Sequence, residues 1–316
     1  MRVAAIDIGT NTAQLLIAEV EGTTLRRRHV AERFVRLGEG VDARGRIGPA
    51  AQERLLEALR VYRETVRDHG VEQVAVAGTS ALRDAANRSA VLEVVEDEVG
   101  WTVELLSGGV EAAWSFAAAC DAFEDLSGPV LVVDIGGGST ELVAGTDPAI
   151  HRPTYPEAIH DRASLQAGCV RLTERHFDSL PPSPTSIATV EAEIDDALRR
   201  TALNTGPNPI VIGTAGTATA LALVNAGPDS TWDARRGSGF QLPRADVYQW
   251  REHLLQMPVS DIRAHHPEAM RGRADVFPVG VLLLDRILQH IDAETLRVSP
   301  YELRHGLLLR SMAAAA

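Results

Sequence analysis

Short apolar runs that stop on an acid or a glycine alternate along this chain with longer stretches whose apolar residues fall at helical spacing. That combination predicts an α/β protein. The first run, Val3 to Ala18 (VAAIDIGTNTAQLLIA), reads as a strand ending at Asp7, a tight turn through Gly9, and a second apolar strand. A third β segment is expected near His29 to Leu37. After the glycine-rich GEGVDARGRIG comes a long amphipathic helix over Pro49 to His69, with Leu55, Leu59, Tyr62 and Val66 on one face and Gly70 as its stop. Val71 to Ala77 reads as a buried strand. Residues 90 to 106 give a helix and the strand TVELL, and SGGVEAAWSFAAAC gives a turn at Ser107 to Gly109 followed by a helix from about Val110.

Val130 to Gly145 (VLVVDIGGGSTELVAG) repeats the grammar of the first run: apolar strand, Asp134, Ile135, glycine, small polar residues, then strand-like alternation. Two Asp-Ile-Gly hairpins predict a duplicated unit. Beyond the second hairpin the pattern predicts a strand around Ser164 to Gln166, a loop opening a helix in AGCVRLTERHF, and a proline-rich turn, LPPSPTS. A helix over Ile187 to Leu203, a strand from Pro209 running into the loop GTAGTATA, a strand at Leu296 to Val298 and a closing helix from Tyr301 to Met312 complete the chain.

The hairpin turns carry the first chemical signal. Gly136, Gly137 and Gly138 have no Cβ and let backbone N–H groups close around an anion, Ser139 and Thr140 add hydroxyl donors, and Glu141 brings a second carboxylate after Asp134. A glycine turn with no ligand has the same pattern, but its recurrence favours two phosphate cradles. Thr79 and Ser80 can cap a helix carrying Arg83, which is either a solvated helix residue or a bidentate phosphate clamp. Glu111 falls in the first turn of its helix, where the helix dipole favours a carboxylate for reasons unrelated to catalysis. Arg171 can face a ligand, and the small residues of GTAGTATA suit either backbone approach to a ligand or close helix packing.

Composition narrows the partners. The 316 residues suit roughly two domains, and the 45% hydrophobic and 23% charged content is globular. A formal net charge of -12 argues against non-specific nucleic-acid binding, so an anionic substrate needs a local basic pocket. Cys120 and Cys169 make no disulfide framework and read as reduced core thiols. With no signal-peptide core before Asp7 and no long apolar run, the expectation is a cytoplasmic protein that does not enter a membrane.

The paired DIG hairpins resemble those of the actin, Hsp70 and sugar-kinase superfamily. DIGTNT, RLGEG, GTSALRDAANR, SGGVEA, DIGGGSTELV, AGCVRLTERHF, GTAGTATALA, RGRADVFPVG and VSPYELRHGLLL, in this order, resemble the exopolyphosphatase and guanosine pentaphosphate phosphatase (Ppx/GppA) family from end to end, in its short form. The resemblance implies an α/β fold of two duplicated actin-like (ribonuclease H-like) lobes with an active-site cleft between them. The lobes are expected over residues 1–125 and 126–300, with residues 301–316 as a C-terminal helix able to pack back on the first. It implies a Mg2+-dependent phosphoanhydride hydrolase, with Mn2+ as an alternative ion, acting on the end of inorganic polyphosphate or on (p)ppGpp-type nucleotides. Glu111 matches the family's catalytic glutamate and Glu141 its second carboxylate; Asp7 and Asp134 match metal positions. Asn11, Thr12, Arg83, Gly136, Gly137, Gly138, Ser139 and Thr140 match phosphate-binding positions. A homodimer is compatible with the family.

Two departures stand out. Val110 occupies the place of the first of two adjacent glutamates, and the family's C-terminal SDxGLREG reads SPYELRHG at Ser299 to Gly306, which keeps only Ser299, Leu303, Arg304 and Gly306 of that motif. An actin-like ATP-binding module is the alternative from another class, but the compact chain lacks the insertions such a module uses for partners.

Overall fold

The computed structural model describes residues 1–22, 24–148, 155–231 and 240–315. The chain divides into two compact units, one formed by Met1–Trp114 with Leu303–Ala316 and the other by Ser115–Glu302.

In the first unit, β1 (Arg2–Ile8), β2 (Thr12–Glu21) and β3 (Thr24–Phe34) form an antiparallel meander. The short α1 (Val41–Arg44) and the long α2 (Pro49–Asp68) lead into β4 (Gln73–Gly78), which runs parallel to β1. Next come α3 (Ser80–Asp84), α4 (Arg88–Val99), β5 (Glu104–Leu105) and α5 (Gly108–Asp121), within which the division between units falls. The sheet order is β3-β2-β1-β4-β5.

Strand alternation builds two cores from one sheet. Ala4, Ile6 and Ile8 of β1, with Leu15 and Ile17 of β2, face Leu55, Leu59 and Tyr62 of α2 and Val91 and Val95 of α4. Val3 and Ala5, with Leu16 and Ala18, face Leu303, Leu307 and Leu308 from the C-terminal end of the chain. Tyr62 locks the first layer: its hydroxyl donates to the Ala13 carbonyl at 2.7 Å, and burial raises its pKa.

The second unit repeats the arrangement. β6 (Pro129–Ile135), β7 (Thr140–Thr146) and β8 (Ile159–Leu165) form an antiparallel meander. After α6 (Cys169–His176) and α7 (Pro184–Arg199), β9 (Ile210–Thr214) runs parallel to β6. Then follow α8 (Ala215–Ala226), β10 (Gln241–Pro243), α9 (Arg244–Leu254), α10 (Val259–His265), α11 (Phe277–His290), β11 (Thr295–Val298) and α12 (Leu303–Ala315), the last belonging to the first unit. The order β10-β11-β9-β6-β7-β8 contains the five-strand pattern of the first sheet plus one antiparallel edge strand. This is the duplicated ribonuclease H-like topology that the paired hairpins predict. Leu131, Val133 and Ile135 face a helical layer that includes Val190, Leu221 and Leu283, which leaves Asp134 on the opposite face of the sheet.

Two elements differ from the sequence pattern. The third strand ends at Phe34 because the Val35 and Arg36 amides turn away to donate to the Asn11 carbonyl at 3.0 and 2.9 Å. GTAGTATA is helical from Ala215, and its small residues serve close packing: a Cβ on Gly280 of α11 would lie 2.6 Å from Thr217 Oγ1.

Candidate active site

The two hairpin turns have the same internal geometry. The Gly9 amide donates to the Thr12 carbonyl at 2.8 Å, and the Gly136 amide to the Ser139 carbonyl at 3.0 Å. The residues flanking each turn pair in the same way, Ile8 with Ala13 and Ile135 with Thr140. Each turn is also held from behind by its carbonyls. In the first unit Val35 and Arg36 donate to Asn11, and Gly38 donates to Thr10 at 2.8 Å. In the second, the opening residues of α6 do this: Cys169 donates to the Gly136 carbonyl at 3.0 Å, and Val170 and Arg171 donate to that of Gly137 at 2.9 and 3.0 Å. Arg171 Nε adds a bond to the Gly138 carbonyl at 2.7 Å. Among the described residues, the amides of Gly137, Gly138 and Ser139 donate to no backbone carbonyl. A turn with its carbonyls engaged and its amides uncommitted offers positive dipoles to an anion.

The support of the first turn extends one layer further. Arg54 of α2 donates from Nε to the Val35 carbonyl at 2.8 Å and from Nη2 to that of Arg36 at 3.3 Å. It thereby fixes the two residues whose amides hold Asn11. Arg36 itself sits at φ 45°, in the left-handed region that a residue other than glycine seldom adopts.

Strand register gives the carboxylates their neighbours. Asp134 pairs with Glu141 across β6 and β7, Glu141 with Ser164 across β7 and β8, and Asp134 with Thr214 across β6 and β9. In-register residues project to one face, so these four form a polar row. Asp134 is 9% exposed and Glu141 1% exposed, and Ser164 Oγ donates to Glu141 Oε1 at 2.8 Å. The equivalent row in the first unit is Asp7, Gln14 and Glu32, with Gln14 Nε2 donating to Glu32 Oε1 at 3.4 Å. Gln14 thus stands in the first copy where Glu141 stands in the second, so only the second copy sets two carboxylates side by side on adjacent strands.

Ser164 and Arg54 carry no chemical signature in the sequence; only register and packing reveal them. Ser164→Ala leaves a buried carboxylate short of one charge-assisted donor, and we expect it to lower the unfolding free energy by about 1–3 kcal/mol. Ser164→Thr should retain most of the wild-type value. Denaturant titration of the three proteins measures both effects.

The structure brings Arg83 and Glu111 together. Arg83, on α3, donates from Nη1 to Glu111 Oε2 at 2.6 Å and to the Leu106 carbonyl at 3.0 Å. Glu111 lies in the first turn of α5, whose opening amides at Val110 and Glu111 donate to the Ser107 carbonyl at 3.0 Å. The glutamate is buried. Burial raises its pKa above the ordinary carboxylate range and the negative charge of Asp84 adds to this, while the hydrogen bond and charge of Arg83 oppose it. A buried carboxylate held above its usual pKa is a group suited to accept a proton near neutrality.

Asn11 and Thr12 are half-buried on their turn, and Gly136, Gly137, Gly138 and Ser139 form the other. Thr140, grouped by sequence with the phosphate donors, is fully buried and its hydroxyl donates to the Ala167 carbonyl at 2.6 Å. It ties the turn to the segment leading into α6. Ser299 to Tyr301, in the altered C-terminal motif, form a local knot: Ser299 Oγ accepts from the Tyr301 amide at 3.2 Å, and Thr214 Oγ1 donates to the Tyr301 carbonyl at 2.6 Å.

Among the described residues no cluster of three or more His, Cys, Asp or Glu side chains could hold a metal ion, and no helix is long and apolar enough to cross a membrane. A divalent ion here would therefore depend on one or two carboxylates, water and the ligand's own oxygens, which is how Mg2+ is usually held.

Comparison with known proteins matches residues 16–315 to the Ppx/GppA phosphatase family. Exopolyphosphatase 2 of Mycobacterium tuberculosis is 34% identical over 324 residues, spanning 98% of this chain and 98% of that protein. The crystal structure of the Aquifex aeolicus Ppx/GppA family member superimposes with a TM-score of 0.78 at 28% identity, covering 100% of this chain and 98% of the other. That of an exopolyphosphatase from Cytophaga hutchinsonii does so with a TM-score of 0.87 at 26% identity, covering 99% and 98%.

Proposed function

Because the chain belongs to the Ppx/GppA phosphatase family, we propose that it is an exopolyphosphatase, releasing the terminal phosphate of inorganic polyphosphate by attack of water. The observation that carries the reading is the hairpin turn built twice with its carbonyls engaged from behind, the second leaving the amides of Gly137, Gly138 and Ser139 with no backbone carbonyl to bond among the described residues. The Mycobacterium tuberculosis relative is an exopolyphosphatase by name, which supports polyphosphate over other phosphoanhydrides as the substrate proposed for this chain.

A polyphosphate end is densely anionic, so attack on it needs donors around its oxygens, a placed water and a base. Asn11 and Thr12 on one turn, and Gly136, Gly137, Gly138 and Ser139 on the other, bind phosphate oxygens. Arg83 pairs with the phosphate being transferred. Glu111 takes the proton of the attacking water as its oxygen bonds to phosphorus, and the bridging P–O bond breaks with its electron pair leaving on the shortened chain. Glu141, steadied by Ser164, orients the water or a metal ion.

Adjacent carboxylates at Asp134 and Glu141 are hard oxygen donors that fit Mg2+, with Mn2+ as a substitute; Asp7, with an amide opposite, offers one carboxylate. When bound, the ion neutralises charge on the phosphate.

The test is phosphate release with Mg2+ and with chelator from long polyphosphate, tripolyphosphate, pppGpp and ATP. The expected result is metal-dependent release chiefly from polyphosphate. Release chiefly from pppGpp or ATP would reassign the substrate to nucleotides, and no release from any of the four would refute the hydrolase reading.

A further inference from the structure

Arg83 has two calls on its guanidinium. In the structure Nη1 makes both of its hydrogen bonds, to Glu111 and to the Leu106 carbonyl, and among the described residues Nε and Nη2 bond to no protein group. Its side chain is 21% exposed and that of Glu111 11% exposed, so the pair is shielded from solvent but open on the arginine side. We propose that Arg83 is a substrate-operated latch on Glu111: with the site empty it holds the carboxylate, and an arriving phosphate draws the guanidinium away and frees the base. The proposal rests on the exopolyphosphatase reading and deepens it by making Arg83 a positioning residue for Glu111 as well as a phosphate ligand.

The physical case is a competition for one cation. A carboxylate in a short charge-assisted bond to arginine has a lone pair engaged and its basicity lowered. A terminal phosphate carries more charge than a carboxylate and presents oxygens that the guanidinium fork can grip in pairs. The Leu106 carbonyl is a neutral acceptor that can stay bound as the fork turns, which makes it a pivot. The charged groups acting on Glu111 are Arg83 and Asp84, both from α3. When Arg83 turns to phosphate, the influence that lowers the Glu111 pKa is lost while burial and Asp84 still raise it. The base strengthens when there is something to hydrolyse, and an empty site holds it in check.

The latch can be read without turnover. In protein labelled with 13C-glutamate, the Glu111 signal is assigned by its loss in Glu111→Gln and its titration midpoint followed by NMR. Orthophosphate, which is not hydrolysed, serves as the probe, with its binding followed by calorimetry. Without phosphate, Arg83→Met should raise the midpoint by about one to three pH units, whereas Arg83→Lys, which keeps the charge, should stay near the wild type. Saturating phosphate should raise the wild-type midpoint towards that of Arg83→Met. An unchanged midpoint in phosphate-free Arg83→Met, or in phosphate-saturated wild type, would overturn the latch. So would an equal phosphate-induced rise in wild type and Arg83→Met, which would assign the shift to the phosphate's own charge. Phosphate release from polyphosphate by the wild type, run in parallel, separates the failures: no release refutes the hydrolase reading, and release with an immobile midpoint refutes the latch alone.

Discussion

Glu111→Gln is expected to lower turnover on polyphosphate by about two to four orders of magnitude, the usual contribution of a placed general base. The change keeps the shape of the side chain and removes the charge and the proton-accepting oxygen. Substrate binding should survive, because Arg83 loses a competitor for phosphate, so the loss should fall on kcat with KM unchanged or reduced. The pH dependence gives an independent readout. Glu111 must be ionised to take a proton, so the wild-type rate should rise with pH through the Glu111 pKa. Burial raises that pKa, so the acid limb should lie above the ordinary carboxylate range, and the variant should lack it. Stability has the opposite sign: a group whose folded pKa is raised contributes stability below its unfolded pKa and loses it as pH rises through the folded value. Glu111→Gln should therefore flatten that part of the stability profile. Wild-type turnover in the variant, with the acid limb intact, would move the base elsewhere.

Much of the fold was legible because its signals are local. An apolar strand, an aspartate and a small-residue turn can be read within one stretch, and finding the stretch twice predicts two sheets of one topology, as β1-β2-β3-β4 and β6-β7-β8-β9 turn out to be. The long helix α2 was equally plain from Leu55, Leu59, Tyr62 and Val66. Contacts between elements were harder to read. Ser164 acquires meaning only once β8 is registered against β7, since a slip of one residue would turn it to the other face. Thr140 has the sequence pattern of a ligand donor beside Ser139, and its strand position turns its hydroxyl to the Ala167 carbonyl. Arg83 and Glu111 each carry a chemical signal in the sequence, but their ion pair depends on how α3 and α5 open, and sequence does not place either helix start that closely. The third strand ends before the sequence pattern does, and nothing local marks Val35 and Arg36 as leaving the sheet to hold Asn11.

Gly168→Ala is the substitution we expect to disturb the second turn most. Gly168 has an extended backbone, φ −125° and ψ 162°, which alanine adopts freely, so conformational preference is not the reason for glycine. Contact is the reason. A Cβ there would lie 2.5 Å from the Gly137 carbonyl carbon, 2.6 Å from that of Gly138, and closer still to the Gly137 oxygen. All three are backbone atoms, so no rotamer change relieves the clash and the turn must separate from the start of α6. That movement strains the bonds from Cys169, Val170 and Arg171 to the Gly136 and Gly137 carbonyls, the same bonds that hold the turn from behind. Overpacking of this kind costs about 1–3 kcal/mol, seen as a lower denaturation midpoint. If the turn binds phosphate, turnover per folded molecule must fall as well, because the amides shift with it. Lost stability with unchanged turnover at temperatures where the variant is folded would leave the turn structural and remove it from the phosphate site. Unchanged stability would mean that the turn and α6 yield to each other more easily than their backbone contacts imply.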